Sequence, residues 1–424
     1  MRLQLALAAA LALAAPTIAA AEDRAEVSTT FFVESRAGEK GGLTVIHPQA
    51  LLGFDVGNHV DLAIAYAADA VTGATASVYQ ADAISSATTF SDFRNEGTLS
   101  LGFRGKRSRI TFSGTFGVER DYITRAVGGV ASIDLPGRNT TVSLAYSHGF
   151  DQVCDRGDNN AGSPLAARAL IGADPCEKPN LFYGSDHLDE MGVKLTTWRD
   201  VTIDTAQATI TQNLSPTMNL QVALFGQIQN GFLSNPYRRV RIGSNSPQEH
   251  VPATRDRWSL TARVNRYLPR LKGAAHFEAR FYDDTWGVIG GNVEMAYSQY
   301  LGKPLLVRLF ARLYQQTAAT FFKDAFFYET EAGAGEFFTG DRELSPVRNV
   351  TLGAKLTLIT VGGSKPVWGL FDKLQLNLRG EMMLIDVLPA NNLDKNPMGI
   401  DQQFIYGTSL IDAVTLQLGL LGNY

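Results

Sequence analysis

Apolar and polar residues alternate along most of this chain with a period of two residues. In the stretch 371–382, Leu376 and Leu378 fall on one face of an extended strand, whereas Arg379 and Glu381 fall on the other. One such strand is common in any β protein. Its repetition along the whole chain means that many apolar strand faces need a place to be buried.

The same pattern predicts an all-β protein of about sixteen strands, within a range of roughly 14 to 18. The approximate strand cores are 25–35, 43–56, 59–72, 92–104, 109–121, 125–134, 140–150, 201–212, 218–231, 256–267, 274–284, 291–301, 305–317, 348–360, 372–385 and 410–424. Each core can supply the roughly 9–11 residues with which a tilted barrel strand crosses a bilayer. The pattern therefore predicts a transmembrane antiparallel β-barrel.

The lengths of the predicted connections support this interpretation. Short connections rich in turn-forming residues, such as Gly57-Asn58 and Gly302-Lys303-Pro304, alternate with long polar ones. The long connections are 73–91, 151–200, 232–255, 318–347 and 386–409. Short periplasmic turns and long extracellular loops are typical of bacterial outer-membrane barrels, whereas a soluble β-sandwich has no reason to sort its loops in this way.

Charged residues show which strand face is turned away from lipid. In 305–314, Arg308 and Arg312 lie on the face opposite Leu309 and Leu313. An arginine facing lipid at mid-membrane costs about 2–4 kcal/mol, so the charged face is predicted to line a lumen. The predicted lumen-lining residues are Arg257, Arg263, Glu278, Arg280, Glu294, Arg308, Arg312, Lys355, Lys373, Arg379 and Glu381.

These charges are concentrated in the later strands. The earlier strands contribute mainly small or neutral lumen residues, such as Ala63, Thr111, Ser143 and Thr209. One interpretation is a partly basic lumen biased toward anionic solutes. The alternative is a network of ion pairs that fills the lumen and stiffens the barrel.

The two ends of the chain carry export and assembly signals. Arg2, the mainly apolar run 3–15 and the small residues Ala19-Ala20-Ala21 predict a signal peptide at 1–21, which leaves 22–424 for the barrel. The alternating C-terminal residues end in Tyr424 and resemble the signal that barrel-assembly machinery recognises. The expected location is the bacterial outer membrane, with lipid as partner. A net charge of −4 without basic runs gives no reason to expect nucleic acid.

Candidate chemistry is sparse and lies in the connection 151–200. Cys154 and Cys176 predict a disulfide that would cross-link this loop. The loop is also the candidate to fold into the outer opening of the barrel and act as its gate. Asp155 and the neighbouring 158–160 could supply oxygen ligands for calcium, but turn formation explains them equally well, and no metal or cofactor is predicted. No catalytic motif is present, so an enzyme is not expected. A hydrolase acting through loop residues such as His187 remains an alternative.

Aromatic residues fall near many strand ends. They are Tyr66, Phe103, Tyr146, Trp258, Trp286 and Tyr297. They are expected either to form girdles at the membrane interfaces or to pack between neighbouring strands.

Three segments resemble a known family. They are Ala68-Asp69-Ala70-Val71-Thr72-Gly73-Ala74-Thr75, Gly231-Phe232-Leu233-Ser234-Asn235-Pro236-Tyr237-Arg238 and Phe281-Tyr282-Asp283-Asp284-Thr285-Trp286-Gly287. The family is a group of bacterial exported proteins, domain of unknown function 3570, regarded as outer-membrane barrels. The resemblance implies no site residues. Family members are often encoded beside thioredoxin-like and flavin-transferring proteins, which implies a periplasmic or surface redox partner.

Two functions are therefore expected from the sequence. The first is a channel or transporter for small polar solutes with a partly basic lumen. The second is a non-conducting barrel that serves as a scaffold for an exported redox or maturation system.

Overall fold

A computed structural model describes twelve stretches of the chain: residues 23–34, 43–74, 89–119, 121–156, 187–188, 190–192, 194–235, 240, 247–322, 335–362, 365–387 and 413–424. The predicted signal peptide lies outside these residues and stays a prediction. Regular structure in the described stretches is nearly all strand, with a 3₁₀ helix at Arg342–Leu344. They contain no helix long and apolar enough to cross a bilayer.

Seventeen strands form one antiparallel sheet in these stretches. They are β1 Arg24–Glu34, β2 Leu43–Val56, β3 Val60–Ala74, β4 Thr89–Arg104, β5 Ser108–Val118, β6 Tyr122–Asp134, β7 Thr140–Arg156, β8 His187–Leu188, β9 Lys194–Ser215, β10 Met218–Gly231, β11 Thr254–Leu268, β12 Gly273–Asp284, β13 Ile289–Leu301, β14 Leu305–Gln316, β15 Val347–Val361, β16 Lys373–Val387 and β17 Ala413–Asn423.

The sheet closes on itself. Successive strands pair as neighbours, β7 pairs with β9, and β1 pairs with β17 from Arg24 opposite Asn423 to Glu34 opposite Ala413. The two-residue β8 pairs only with β9, so sixteen strands form the wall. Closure leaves no unpaired wall edge, which hydrocarbon requires because it offers backbone groups no water. The predicted sixteen-stranded barrel is confirmed.

The two ends of the barrel differ as predicted. Adjacent strands at one end are joined by tight connections, such as 57–59 and 302–304, and β1 begins and β17 ends at this periplasmic end. The exception is the longer connection 362–372, where the Phe371 ring makes an edge-to-face contact with Tyr424, with 6.4 Å between ring centroids. The long connections lie at the opposite, outer end.

Large apolar side chains cover the outside of the wall. Leu224, Leu309 and Leu418 are 50–58% exposed, although leucine is normally buried in a soluble protein. Each alternates with inward neighbours along its strand, as in Leu309 between Arg308 and Phe310. A closed barrel with an apolar outer face is an integral membrane protein of the bacterial outer-membrane type.

Candidate functional site

A band of paired charges lines the lumen on β11 to β14. We call Arg263, Glu278, Glu294, Arg308 and Arg312 the charged belt. Arg263 donates to Glu278 at 2.6 Å, and Glu294 accepts from Arg308 at 3.1 Å and from Arg312 at 2.9 Å. Glu278 and Glu294 face each other directly on β12 and β13, so their repulsion is offset by these arginines.

His276 lies between the two belt carboxylates. Its Nε2 is 3.9 Å from Glu278 Oε2 and 3.9 Å from Glu294 Oε1. Its Nδ1 is 2.5 Å from Asn265 Oδ1, which fixes the plane of the ring. The histidine thus links both halves of the belt.

Basic residues continue along the wall onto β15 and β16. Arg308 lies directly opposite Lys355, which lies directly opposite Arg379. Arg379 forms an ion pair with Glu381, and its guanidinium carbon lies 4.9 Å from the centre of the Phe310 ring. This contact is a cation–π interaction that holds the arginine against the wall.

Phe310 itself packs into the space above Gly353. A Cβ at Gly353 would lie 2.1 Å from the Phe310 ring, so only glycine fits beneath the aromatic side chain. The Gly353→Ala variant is therefore expected to lose about 1–3 kcal/mol of unfolding free energy, because the ring must move. Denaturant unfolding in detergent measures this loss. Gly380→Ala is the control, since nothing lies within 4 Å of its added Cβ; equal stability of the two variants would contradict the packing argument.

The other predicted lumen residues also lie on the inward face of their strands. Arg257 donates a hydrogen bond to Gln229. Arg280 on β12 and Lys373 at the periplasmic end of β16 have no carboxylate within 4.0 Å among the described residues. All eleven predicted residues thus lie on the polar face, opposite the lipid-exposed side chains.

The opposite wall is less neutral than the sequence predicts. At its periplasmic end, Asp61 pairs with Arg109 and lies 3.4 Å from Arg104, which also pairs with Asp55 at 2.8 Å. Nearer the outer end, Asp69, in one of the family-like segments, is 2.5 Å from His47. The prediction of mainly small or neutral groups is therefore wrong for this wall, because Asp61 and Arg109 lie on the same inward strand faces as Ala63 and Thr111.

Ordered loop segments cover the outer end of the lumen. We call residues 232–235, 247–253, 285–288, 317–322 and 335–346 the outer cap. Its apolar centre contains Val251, Trp286, Val288, Ala319, Phe321, Phe322 and Leu344. Trp286 is 2% exposed, so it does not belong to an interfacial girdle, whereas Tyr66, Phe103, Tyr146 and Trp258 are exposed on the outside of the barrel.

Asp284 attaches the cap to the wall. One carboxylate oxygen accepts from the backbone N–H of Trp286 at 3.0 Å and of Val288 at 2.9 Å. The other accepts from Arg255 at 2.5 Å and from the Tyr282 hydroxyl at 2.7 Å. The Arg255 guanidinium carbon lies 4.3 Å from the centre of the Trp286 ring. The family-like segment 281–287 therefore builds one anchor of the outer cap.

A second family-like segment enters the mouth. It begins at Gly231, whose φ of +121° favours glycine and where a Cβ would lie 2.1 Å from the carbonyl oxygen of Asp200. Phe232 and Leu233 then pack against lumen-facing residues of β6, β7 and β9, which are Tyr122, Val153, Val201 and Ile203. Leu233 also contacts the apolar centre of the cap. The segment thus connects the wall at β6, β7 and β9 with the outer cap.

Buried polar contacts hold this segment in place. Glu249 accepts from the Asn235 N–H at 2.8 Å and from the Thr339 hydroxyl at 2.7 Å, although its side chain is almost fully buried. The Ser234 hydroxyl accepts from the Val251 N–H at 3.1 Å. These bonds join the connections β10–β11 and β14–β15. Sequence patterns do not reveal these bonds, since their partners lie as far apart in the chain as Glu249 and Thr339.

The candidate residues of the connection 151–200 are only partly visible. Cys154 is buried at the end of β7 and is disulfide-bonded, whereas its predicted partner Cys176 lies outside the described residues. Asp155 forms an ion pair of 2.7 Å with Arg199 instead of facing an open loop. The remaining candidate calcium ligands at 158–160 and the side chain of His187 also lie outside. Within the described stretches, no group of three His, Cys, Asp or Glu side chains could hold a metal ion.

Similarity to known proteins identifies the family of this barrel. The profile of the family described as "Protein of unknown function (DUF3570)" matches residues 3–366. The chain belongs to this family. The prediction from the three family-like segments is thus confirmed. No curated protein matches the chain.

Solved structures of outer-membrane proteins are similar to this chain. A bacterial polysaccharide outer membrane secretin is 8% identical, with 96% of this chain and 100% of that chain covered and a TM-score of 0.46. The ferric enterobactin receptor of Pseudomonas aeruginosa is 9% identical, covering 86% and 54%, with a TM-score of 0.41. OccK2 of Pseudomonas aeruginosa, in complex with glucuronate, is 8% identical, covering 95% and 97%, with a TM-score of 0.39.

Proposed function

We propose that this outer-membrane barrel is a channel or transporter for small polar solutes, with passage controlled by the outer cap. The observation that carries the proposal is a contrast in exposure along the lumen. At the charged belt, the side chains of Arg308 and Arg312 are 32% and 33% exposed, although shorter inward neighbours on the wall such as Thr351 are buried. At the outer end, inward residues such as Tyr122, Thr205 and Asp284 are buried. This contrast supports a water-accessible middle and a narrow outer entrance.

The arrangement of the ion pairs supports an open middle. Arg263 and Glu278 are direct neighbours on adjacent strands, as are Glu294 and Arg312. Arg379 and Glu381 lie on the same strand. These pairs run along the wall and need no partner from across the barrel. They favour a lined lumen over one filled by a network of ion pairs.

The charge of the middle lumen favours anions. The belt, Lys355, Arg379 and Glu381 together contain five cations and three carboxylates. An excess of positive charge in a confined aqueous pore raises the local concentration of anions. Small anions are therefore the preferred solutes in this proposal.

Planar-bilayer recording of the purified protein tests the proposal. We expect stepwise current in potassium chloride and a reversal potential under a salt gradient that indicates anion preference. Absence of current at every voltage, in protein that keeps the heat-dependent gel mobility of a closed barrel, would overturn the channel and favour the scaffold alternative.

Phe232 and Leu233, which lie in the segment that enters the outer entrance, give a second expectation. Replacing Phe232 and Leu233 together with alanine is expected to raise single-channel conductance at least about twofold, because both side chains narrow the outer entrance. The control is Leu271→Ala, which removes an exposed leucine from a periplasmic turn. Unchanged conductance in a stably folded double variant would show that this segment is not the constriction.

A further inference from the structure

We infer that Lys355, flanked by Arg308 and Arg379, forms a binding subsite for a small oxyanion in the middle of the lumen. The ligand is a carboxylate or phosphate group carried by a small solute. This inference rests on the proposed function, since it names the chemical class of solute that the lumen holds.

The register of the wall places the three cations in a row. Arg308 on β14 is directly opposite Lys355, and Lys355 is directly opposite Arg379 on β16. Directly opposed residues in an antiparallel sheet have Cβ atoms about 4.5–5.5 Å apart. All three side chains point inward, so their charges share one small region of the lumen.

The two arginines are already paired, and the lysine is not. Arg308 donates to Glu294 at 3.1 Å, and Arg379 pairs with Glu381. No carboxylate in the described part of the chain lies within 4.0 Å of Lys355. Glu26 attracts the Lys355 ammonium group, but it lies on β1, which is separated from β15 by β16 and β17. The ammonium group therefore faces two like charges without a direct counter-ion.

The positions of the paired carboxylates leave the centre of the row open. Glu294 lies directly opposite Arg312, and Glu381 lies directly opposite Gly353, so both are displaced from Lys355 toward the outer end of the barrel. The flanking side chains of Arg308 and Arg379 remain 32% and 36% exposed, which keeps the row accessible to lumen water. An anion can reach Lys355 without displacing an existing ion pair.

The chemistry of the row suits an oxyanion. Like charges directly opposite on neighbouring strands destabilise a sheet, and an anion between them removes that repulsion. A lysine ammonium supplies three rotatable donors, and an arginine fork matches the paired oxygens of carboxylate and phosphate. A bound oxyanion would be the missing counter-ion.

Binding is measured on the intact barrel in detergent by isothermal titration calorimetry, with inorganic phosphate and succinate as the probes. Lys355→Gln is expected to weaken binding about tenfold, as expected for loss of one charge-assisted hydrogen bond. Lys355→Arg is expected to keep most of the affinity. Lys303→Gln, which removes a lysine from the periplasmic turn between β13 and β14, is the matched control and is expected to bind like the parent protein.

The outcomes separate this inference from the channel proposal. Binding that depends on Lys355 supports the subsite even if no current is recorded. Equal affinity in the parent and in Lys355→Gln, or no binding of either probe, overturns the subsite even if the barrel conducts. Loss of affinity for phosphate alone or for succinate alone shows which oxyanion the subsite takes. Removal of a charge from a like-charged row should not unfold the barrel, and the heat-dependent gel mobility of Lys355→Gln checks this.

Discussion

Leu224→Arg is expected to prevent stable insertion of the barrel or to lower its unfolding free energy by about 2–4 kcal/mol. Leu224 lies near the middle of β10 and is 52% exposed on the outside of the wall. It packs beside Leu260 and Ala208 on neighbouring strands, so an arginine there would face hydrocarbon at the depth where charge is most costly. Heat-dependent gel mobility and urea unfolding in lipid vesicles measure the effect.

The adjacent position supplies the control for this variant. Ala223 points into the lumen and lies directly opposite two uncharged residues, Thr209 and Thr261. Ala223→Arg is expected to insert and fold nearly as well as the parent, because its charge meets water. Equal loss of stability in both variants would mean that the assigned lipid and lumen faces are wrong.

Asp284→Ala is expected to detach the outer cap while the barrel persists. The substitution leaves the buried Arg255 without its carboxylate and removes the acceptor for the Trp286 and Val288 N–H groups. Loss of one partner of a buried ion pair costs about 3–5 kcal/mol. Limited proteolysis should therefore cut the connections 232–253 and 317–346 much faster, and hydrogen exchange at Trp286 should rise.

Asp283→Ala tests whether this effect belongs to the cap. Asp283 is the neighbouring carboxylate but faces outward, where it accepts a hydrogen bond of 3.1 Å from the Trp258 indole N–H. This variant is expected to keep the slow proteolysis of the parent. Protection of the loops in Asp284→Ala, or equal cutting of the two variants, would remove Asp284 from its role as the anchor.

The strand pattern was predictable because the membrane imposes it. The prediction of a strand at 218–231 coincides with β10, and that at 43–56 coincides with β2. In a strand between lipid and water, apolar and polar side chains must alternate at every residue, so the sequence shows which residues lie on each face. Beyond the membrane this constraint ends. There the prediction stopped β7 at residue 150 and began β9 at 201, whereas the strands reach Arg156 and Lys194.

The strand face on which each charged residue lies follows from its own strand, but its partners do not. Parity alone places Glu278 and Glu294 inside the barrel. Only the register shows that they lie directly opposite each other, and that Lys355 stands between two arginines. Which residues meet across two strands depends on the register between the strands, and the sequence of a single strand does not contain that register.

The sequence by itself determined the two-faced strands and their approximate number, because these follow from local alternation against lipid, and the lengths of the connections determined the end at which the long loops emerge. The tertiary structure alone decided how the outer entrance is covered. Glu249 meets Thr339 there, and Trp286 packs in one cluster with Leu344, although these residues belong to connections far apart in the chain. Such contacts depend on the closure of the whole barrel, which brings distant loops over one opening.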